Sequence, residues 1–223
     1  MPTDPFVSIA EAAYITELAD QDLNRLIDER IVPDALVLAD DGRRRFSRLA
    51  CALAQFYLAT DNDFTASLRR SVIAEMAARV QREDASSELL ALGPAATGFD
   101  WLVQLPFGEI DVSSFVRTCS ARARAIDDCK ASITRSNDVM DGIPVFAGTR
   151  LPIDTILAST ERGIAMERIL ESFPFLTYEM VDVARVYDAT QPKRAPRRGL
   201  GEVHPDWILL DSRVVRPARA SGD

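Results

Sequence analysis

The sequence predicts a mainly α-helical protein with small β-hairpins, and three observations lead there. Apolar residues recur at helical spacing behind helix-capping residues, and short β-prone runs flank the turn signals Asp41-Gly42 and Pro106-Phe107-Gly108. The last stretch, 191–223, is rich in proline and arginine. At 223 residues, 47% of them hydrophobic, the chain can bury a core and has room for several small domains. Four segments are expected, covering 1–62, 63–130, 131–190 and 191–223.

Ser8-Ile9-Ala10-Glu11 has capping-box form, so a short helix starts at Ile9. After a break near Ile15-Thr16-Glu17, the spacing of Leu18, Leu23, Leu26 and Ile27 describes a second helix ending near Arg30. Two short helices with a tight turn read as helix-turn-helix. Next, Leu36-Val37-Leu38-Ala39, Asp41-Gly42 and Arg43-Arg44-Arg45-Phe46 read as strand, turn and basic return strand, a wing. Ser47 caps a third helix through Leu49, Leu53, Phe56 and Tyr57.

This order, with the Ile31-Val32-Pro33 exit from the second helix, resembles the winged-helix DNA-binding domain of the MerR class. The resemblance implies a second helix in the major groove and a wing on the phosphates. It nominates Gln21, Asn24 and Arg25 for bases and Arg43, Arg44 and Arg45 for the DNA backbone. Gln and Asn can pair bidentately with adenine and Arg with guanine, while an arginine run attracts phosphate whatever the sequence. Against this, Asp20, Asp22, Asp28 and Glu29 flank the reading helix and repel phosphate, and winged helices also serve as protein-binding modules.

In the middle segment, Phe64, Leu68, Val72, Ile73, Met76 and Val80 follow a 3.6 period and predict one amphipathic helix of about five turns. Its apolar stripe either seams an antiparallel coiled-coil dimer or packs within the chain. Ala85 to Thr97, with Ser86-Ser87 and Gly93-Pro94, reads as linker. Trp101 to Leu105 and Glu109 to Val112 form a hairpin, after which Ser113 or Ser114 caps a helix to about Lys130. For Arg117, Arg122 and Arg124 a solvated surface is the default.

Composition removes many enzyme classes. His204 is the one histidine, so neither a Cys/His zinc site nor a histidine-dependent triad can form. Cys51, Cys119 and Cys129 lack metal spacing and suit reduced, buried thiols. There is no Gly-rich phosphate loop, and paired acids such as Asp127-Asp128 or Asp61 with Asp63 read as solvated or capping groups. No enzymatic activity, cofactor or metal is expected. With no leader-like start and no apolar run near membrane-spanning length, the protein is expected in the cytoplasm. The formal net charge of -8 is unevenly spread, at -4 over 1–60, -7 over 61–189 and +3 over 190–223.

From Asn137 the chain reads Asp141-Gly142-Ile143-Pro144-Val145-Phe146-Ala147-Gly148-Thr149-Arg150-Leu151-Pro152. Asp141-Gly142 signals a turn, Val145-Phe146 a short strand, and Gly148 a backbone angle other residues resist. Pro152 suits the first turn of a helix through Ile153, Ile156 and Leu157. Ile164, Ile169, Leu170 and Phe173 give a second helix, and Thr177 caps a third bearing Met180, Val183, Ala184 and Tyr187. Residues 137–189 thereby resemble the domain-of-unknown-function 433 family. Its pattern is matched at Gly142, Pro144, Gly148, Thr149, Arg150 and Pro152, then at Phe173, Pro174, Leu176 and Thr177. Asp141 and Ile143 depart from it. Members of that family look like helix-turn-helix-type modules and are predicted VapB-like antitoxins partnered by PIN-type ribonuclease toxins. For Gly148-Thr149-Arg150 the residues suit a glycine turn, a threonine cap and an Arg150 paired with Asp154 or Glu179, rather than a ligand contact.

Two prolines keep Gln191 to Gly199 from holding a helix. Lys193, Arg194, Arg197 and Arg198, then Trp207 with Ile208-Leu209-Leu210, and Arg213, Arg216 and Arg219 around Val214-Val215, alternate cations with apolar anchors. Such a segment can wrap a toxin and place an arginine among its metal-site carboxylates. The alternatives are a disordered basic tail or a nonspecific nucleic-acid arm. The function expected is therefore an antitoxin that inhibits a PIN-type ribonuclease toxin and represses its operon through operator DNA. It would act as a homodimer or a larger toxin–antitoxin complex. The other class is a stand-alone winged-helix regulator with a dimerisation or ligand-binding C-terminal module.

Overall fold

Ser8 does what its sequence context dictates. In the computed structural model, which describes residues 4–40, 43–136 and 142–191, it closes strand β1 (Phe6–Ser8) and opens helix α1 (Ile9–Thr16). The Glu11 N–H donates to Ser8 Oγ at 3.3 Å and the Ser8 N–H to Glu11 Oε2 at 2.7 Å. Glu17, in the left-handed region at φ 58°, ends α1, and Thr16 Oγ1 accepts from the Leu18 N–H. Helix α2 (Asp20–Asp28) follows, shorter at both ends than its apolar spacing predicts and without a side-chain cap.

Strands β2 (Val37–Asp40) and β3 (Arg43–Ser47) form the expected hairpin, and β1, which the sequence did not announce, pairs with the other edge of β3. The register sets both Val7 and Val37 opposite Phe46. Because side chains alternate across a strand, this row turns inward, and Val7 and Phe46 are fully buried. One residue along, Leu38 faces outward opposite Arg45.

Ser47 accepts from the Ala50 N–H at 3.0 Å and starts helix α3 (Arg48–Ala59), whose Leu49, Cys51, Leu53 and Phe56 bury nearly its whole circumference. A helix apolar all round belongs at a centre. Helix α4 (Ala66–Arg82) starts at a Thr65 cap and uses Val72, Ile73, Met76 and Val80 in the same core. Its stripe is spent inside the chain and leaves no coiled-coil seam.

Residues 85–97 are not a linker. Helix α5 (Ser86–Leu90) and a 3-10 turn (Pro94–Thr97) fold there, with Leu89, Leu92 and Ala96 buried. The small and turn-forming residues that suggested a linker make tight local turns, and the apolar residues among them find a core. Strands β4 (Leu102–Leu105) and β5 (Gly108–Asp111) form the second hairpin. Helix α6 (Ser113–Ser132) starts without a serine cap. Instead the Asp111 carboxylate accepts from the Ser113 N–H at 2.7 Å and the Ser113 hydroxyl at 2.9 Å.

Helix α6 packs on α3 and α1, and one hydrophobic core runs from Val7 to Ile126 without a break at residue 62. Segments 1–62 and 63–130 therefore share a core. The first residue of α3 joins them: Arg48 grips the Asp127 carboxylate with both terminal nitrogens, at 2.7 and 2.5 Å. Arg122 also leaves the expected solvated cluster, pairing with Glu17 and donating to the Tyr14 carbonyl at 3.0 Å.

A second, smaller core follows. Strands β6 (Ile133–Thr134) and β7 (Val145–Phe146) pair antiparallel, and helices α7 (Ile153–Glu161), α8 (Met166–Ser172) and α9 (Tyr178–Thr190) enclose Phe146, Leu151, Ile153, Ile156, Ile169, Leu176, Val181 and Ala184. Thr177 caps α9 by accepting from the Met180 N–H. The other side of α9 packs on α6 and α1. Among the described residues, no helix is long and apolar enough to cross a membrane.

Candidate functional site

The six residues nominated for DNA lie on two neighbouring elements. Leu23 and Leu26 anchor α2 in the core, so Gln21 and Arg25 project outward from its other face and Asn24 is half-buried beside them. Arg43, Arg44 and Arg45 lie on β3. The helix and the wing touch: Arg44 Nη1 donates to Asn24 Oδ1 at 3.4 Å, and Arg44 Nη2 pairs with Asp28 at 2.7 Å.

The electrostatics of this surface are not those of a bare cationic patch. Arg25 pairs with Asp22 at 3.4 Å on its own helix. Arg45 is held by Asp4 at 2.5 Å and by the Phe6 carbonyl at 2.6 Å. Partial burial opposes ionisation of Asp4, but hydrogen bonds from Arg45 and the Phe6 N–H outweigh it and hold the carboxyl below its ordinary range. Arg45 thus braces β1 against β3. Arg43 stands opposite Asp40 in the backbone register of the hairpin and is exposed.

The pairs at Arg25 and Arg44 are exposed, so each is worth about 0–1 kcal/mol and can be traded for a phosphate contact. Asp28 was legible as a flanking acid. Asp4 carried no sequence signal, because its partner lies 41 residues away.

The Gly148–Pro152 segment is closed on itself. The Thr149 N–H and hydroxyl both donate to the Phe146 carbonyl, at 3.0 and 2.9 Å, and Thr149 Oγ1 accepts from the Leu151 N–H at 3.1 Å. The Ile153 N–H reaches back to the Pro144 carbonyl, and Pro152 bridges to Val145 before α7 begins. Gly148 sits at φ +74° with open space where a Cβ would stand, so backbone conformation alone selects glycine there. Gly142, at φ +78°, donates its N–H to the Ser136 carbonyl.

Two expectations change. Thr149 braces the turn and does not cap a helix, and exposed Arg150 pairs with neither Asp154 nor Glu179. Asp141 lies outside the described residues, as do Lys193, Arg194, Arg197, Arg198, Trp207, Arg213 and Arg216. Among the described residues, no group of three or more His, Cys, Asp or Glu side chains could hold a metal ion. The thiols are buried, which pushes Cys119 up to about 12 and Cys129 to about 11, far from reactive thiolates.

Residues 133–187 match the family described as protein of unknown function (DUF433). Along nearly its whole length the chain is similar to the uncharacterized protein y4eO of Sinorhizobium fredii (strain NBRC 101917 / NGR234). The two are 32% identical over 213 residues, which is 96% of this chain and 94% of that protein. No solved structure matches the chain.

Proposed function

The chain belongs to the family of the Sinorhizobium fredii protein y4eO, and from that premise we propose that it is the antitoxin of a type II toxin–antitoxin pair. In this reading it inhibits a PIN-type ribonuclease without being an enzyme itself, and it binds its own operator DNA. The observation that carries the DNA half is the joined surface of α2 and the wing. Its elements follow the order α1, α2, β2, β3, α3, as in a MerR-like winged helix, and the Asn24–Arg44 contact joins α2, which carries Gln21, Asn24 and Arg25, to β3, which carries Arg43 and Arg44. Base-reading groups next to phosphate-seeking ones are what groove recognition requires.

The inhibitor half is supported by the resemblance of residues 137–189 to predicted antitoxins. The turn at Gly148–Pro152 uses its own donors and acceptors and so suits a structural module. The tail from Lys193 onward supplies the cations and the Trp207 anchor that an acidic metal site and its rim would accept. The direct packing of α9 on α1 favours a second reading, a stand-alone regulator in which the C-terminal core acts on the helix pair.

Co-expression separates the two. A small protein with three or four spaced Asp/Glu residues, encoded beside this gene, is expected to copurify with the full chain through size-exclusion chromatography. An adjacent product of that kind that elutes alone would contradict the antitoxin reading and leave the regulator.

A further inference from the structure

The hairpin β4–β5, the 3-10 turn Pro94–Thr97 and the first three turns of α6 line a half-open cavity of about 560 Å³, within the usual size range of small-molecule sites. It lies apart from the α2–wing surface and the Gly148 turn. Its apolar wall is aromatic: Trp101, 5% exposed, leans on Phe99 with ring centroids 4.5 Å apart and planes at 60°. The indole N–H is already donated to the Ala96 carbonyl at 2.9 Å, so Trp101 offers the cavity ring surface and no donor.

The opposite wall is one face of α6, where Ser113, Arg117, Ser120 and Arg124 recur at helical spacing. Counting which of these polar groups is still free decides what the cavity can hold. Asp111 accepts from the Ser113 N–H and hydroxyl, and Asp100 accepts from the Leu102 N–H and from Arg79, each at 3.0 Å. The Ser120 hydroxyl donates to the Leu92 carbonyl at 3.0 Å. Arg117 spends one N–H on Ser113 Oγ at 2.9 Å and makes no ion pair with a described residue. Arg124 makes neither a hydrogen bond nor an ion pair with one. The carboxylates are occupied while two guanidinium groups keep most of their donors open, so the unused capacity of the cavity is that of an anion binder.

The charge balance narrows the class further. Arg79 neutralises Asp100, and Asp111 offsets one of the two arginines, which leaves one unmatched positive charge facing an aromatic wall. We propose that this cavity binds a planar aromatic monocarboxylate, its ring against Phe99 and Trp101 and its carboxylate held by Arg117 and Arg124. The two arginines are two turns apart, about 10.5 Å along the helix axis, a gap that their long side chains can close from either side. Such a ligand would rest on α6, the helix that also packs on α1, α3 and α9, and so touch both cores through one element.

Calorimetric titration of the full chain with 2-naphthoate tests this. One site of micromolar dissociation constant is expected. Arg117→Gln and Arg124→Gln are each expected to weaken binding at least tenfold, with the thermal midpoint of the free protein unchanged because neither arginine holds the fold. The neutral 2-naphthalenemethanol is expected to bind at least tenfold more weakly, and inorganic phosphate is expected not to displace 2-naphthoate. Absence of binding at millimolar 2-naphthoate would overturn the proposal. So would equal affinity in the Arg117→Gln/Arg124→Gln double variant, or displacement by phosphate at equal concentration.

Discussion

Asp127→Ala is expected to lower the unfolding free energy by about 3 kcal/mol. Its partner Arg48 has a side chain only 4% exposed, and the Asp127 carboxylate takes both terminal nitrogens. Arg48 Nε, buried as well, has no partner among the described residues. Removing the carboxylate would strand a guanidinium inside the protein, a loss of about 3–5 kcal/mol when one half of a buried pair is deleted. The side chain of Asp127 is 36% exposed, so water can partly replace it and the lower end applies. In a unit of this size that is a drop of roughly 6–12 °C in the thermal midpoint.

Arg48→Met with Asp127→Leu is expected to restore most of the loss, since replacing both charges by apolar groups of similar volume removes the desolvation cost along with the attraction. Chemical denaturation of the two variants checks both statements. An unchanged midpoint in Asp127→Ala would mean that this pair does not join the start of α3 to α6.

Arg43→Glu with Arg44→Glu is expected to weaken operator binding by roughly 10- to 100-fold at moderate salt. Each lost phosphate contact should also flatten the log–log salt dependence by about 0.9. Arg45 is better left intact, because its contacts to Asp4 and the Phe6 carbonyl brace the sheet and its reversal would confound folding with binding. The same geometry gives an effect of opposite sign. Asp28 holds Arg44 at 2.7 Å in the free protein, so Asp28→Asn releases that guanidinium, removes a charge that repels phosphate, and is expected to raise affinity several-fold. Mobility-shift titrations across a salt series measure both. Unchanged affinity in the double reversal would dismiss the wing as a DNA contact and leave the α2–wing surface as a protein-binding face.

Local chemistry made much of this fold readable. The Ser8–Glu11 box and the Ser47 and Thr177 caps depend on residues three apart, and all three open the helices they announce. The wing was readable because Asp41-Gly42 separates an apolar strand from a basic one. What distance in sequence decides was not readable. Phe6–Ser8 is too short to show a period and becomes a strand only by pairing with residues 45–47. Ser86-Ser87 and Gly93-Pro94 are genuine turn signals, yet the burial of Leu89, Leu92 and Ala96 that makes 85–97 part of the core is tertiary.

The candidate sites divide in the same way. Sequence brought out Gln21, Asn24, Arg25 and the three wing arginines as types. It could not show that Asp28 and Asp4 are bound to two of those arginines, nor that Arg150 stands apart from Asp154 and Glu179. Arg117 and Arg124 looked like an ordinary solvated helix face. Only the fold sets them opposite Phe99 and Trp101.

The antitoxin reading meets its most direct test in RNA cleavage by the partner nuclease. Equimolar full chain is expected to reduce cleavage to background, whereas a chain ended at Gln191 leaves it unaltered. That end point preserves α9, since Thr190 still donates its hydroxyl to the Val186 carbonyl and the Gln191 N–H still reaches Asp188. The shortened chain should therefore keep its thermal midpoint while losing inhibition. Full cleavage in the presence of excess intact chain would contradict the antitoxin reading, and equal inhibition by both chains would contradict the role given to the tail.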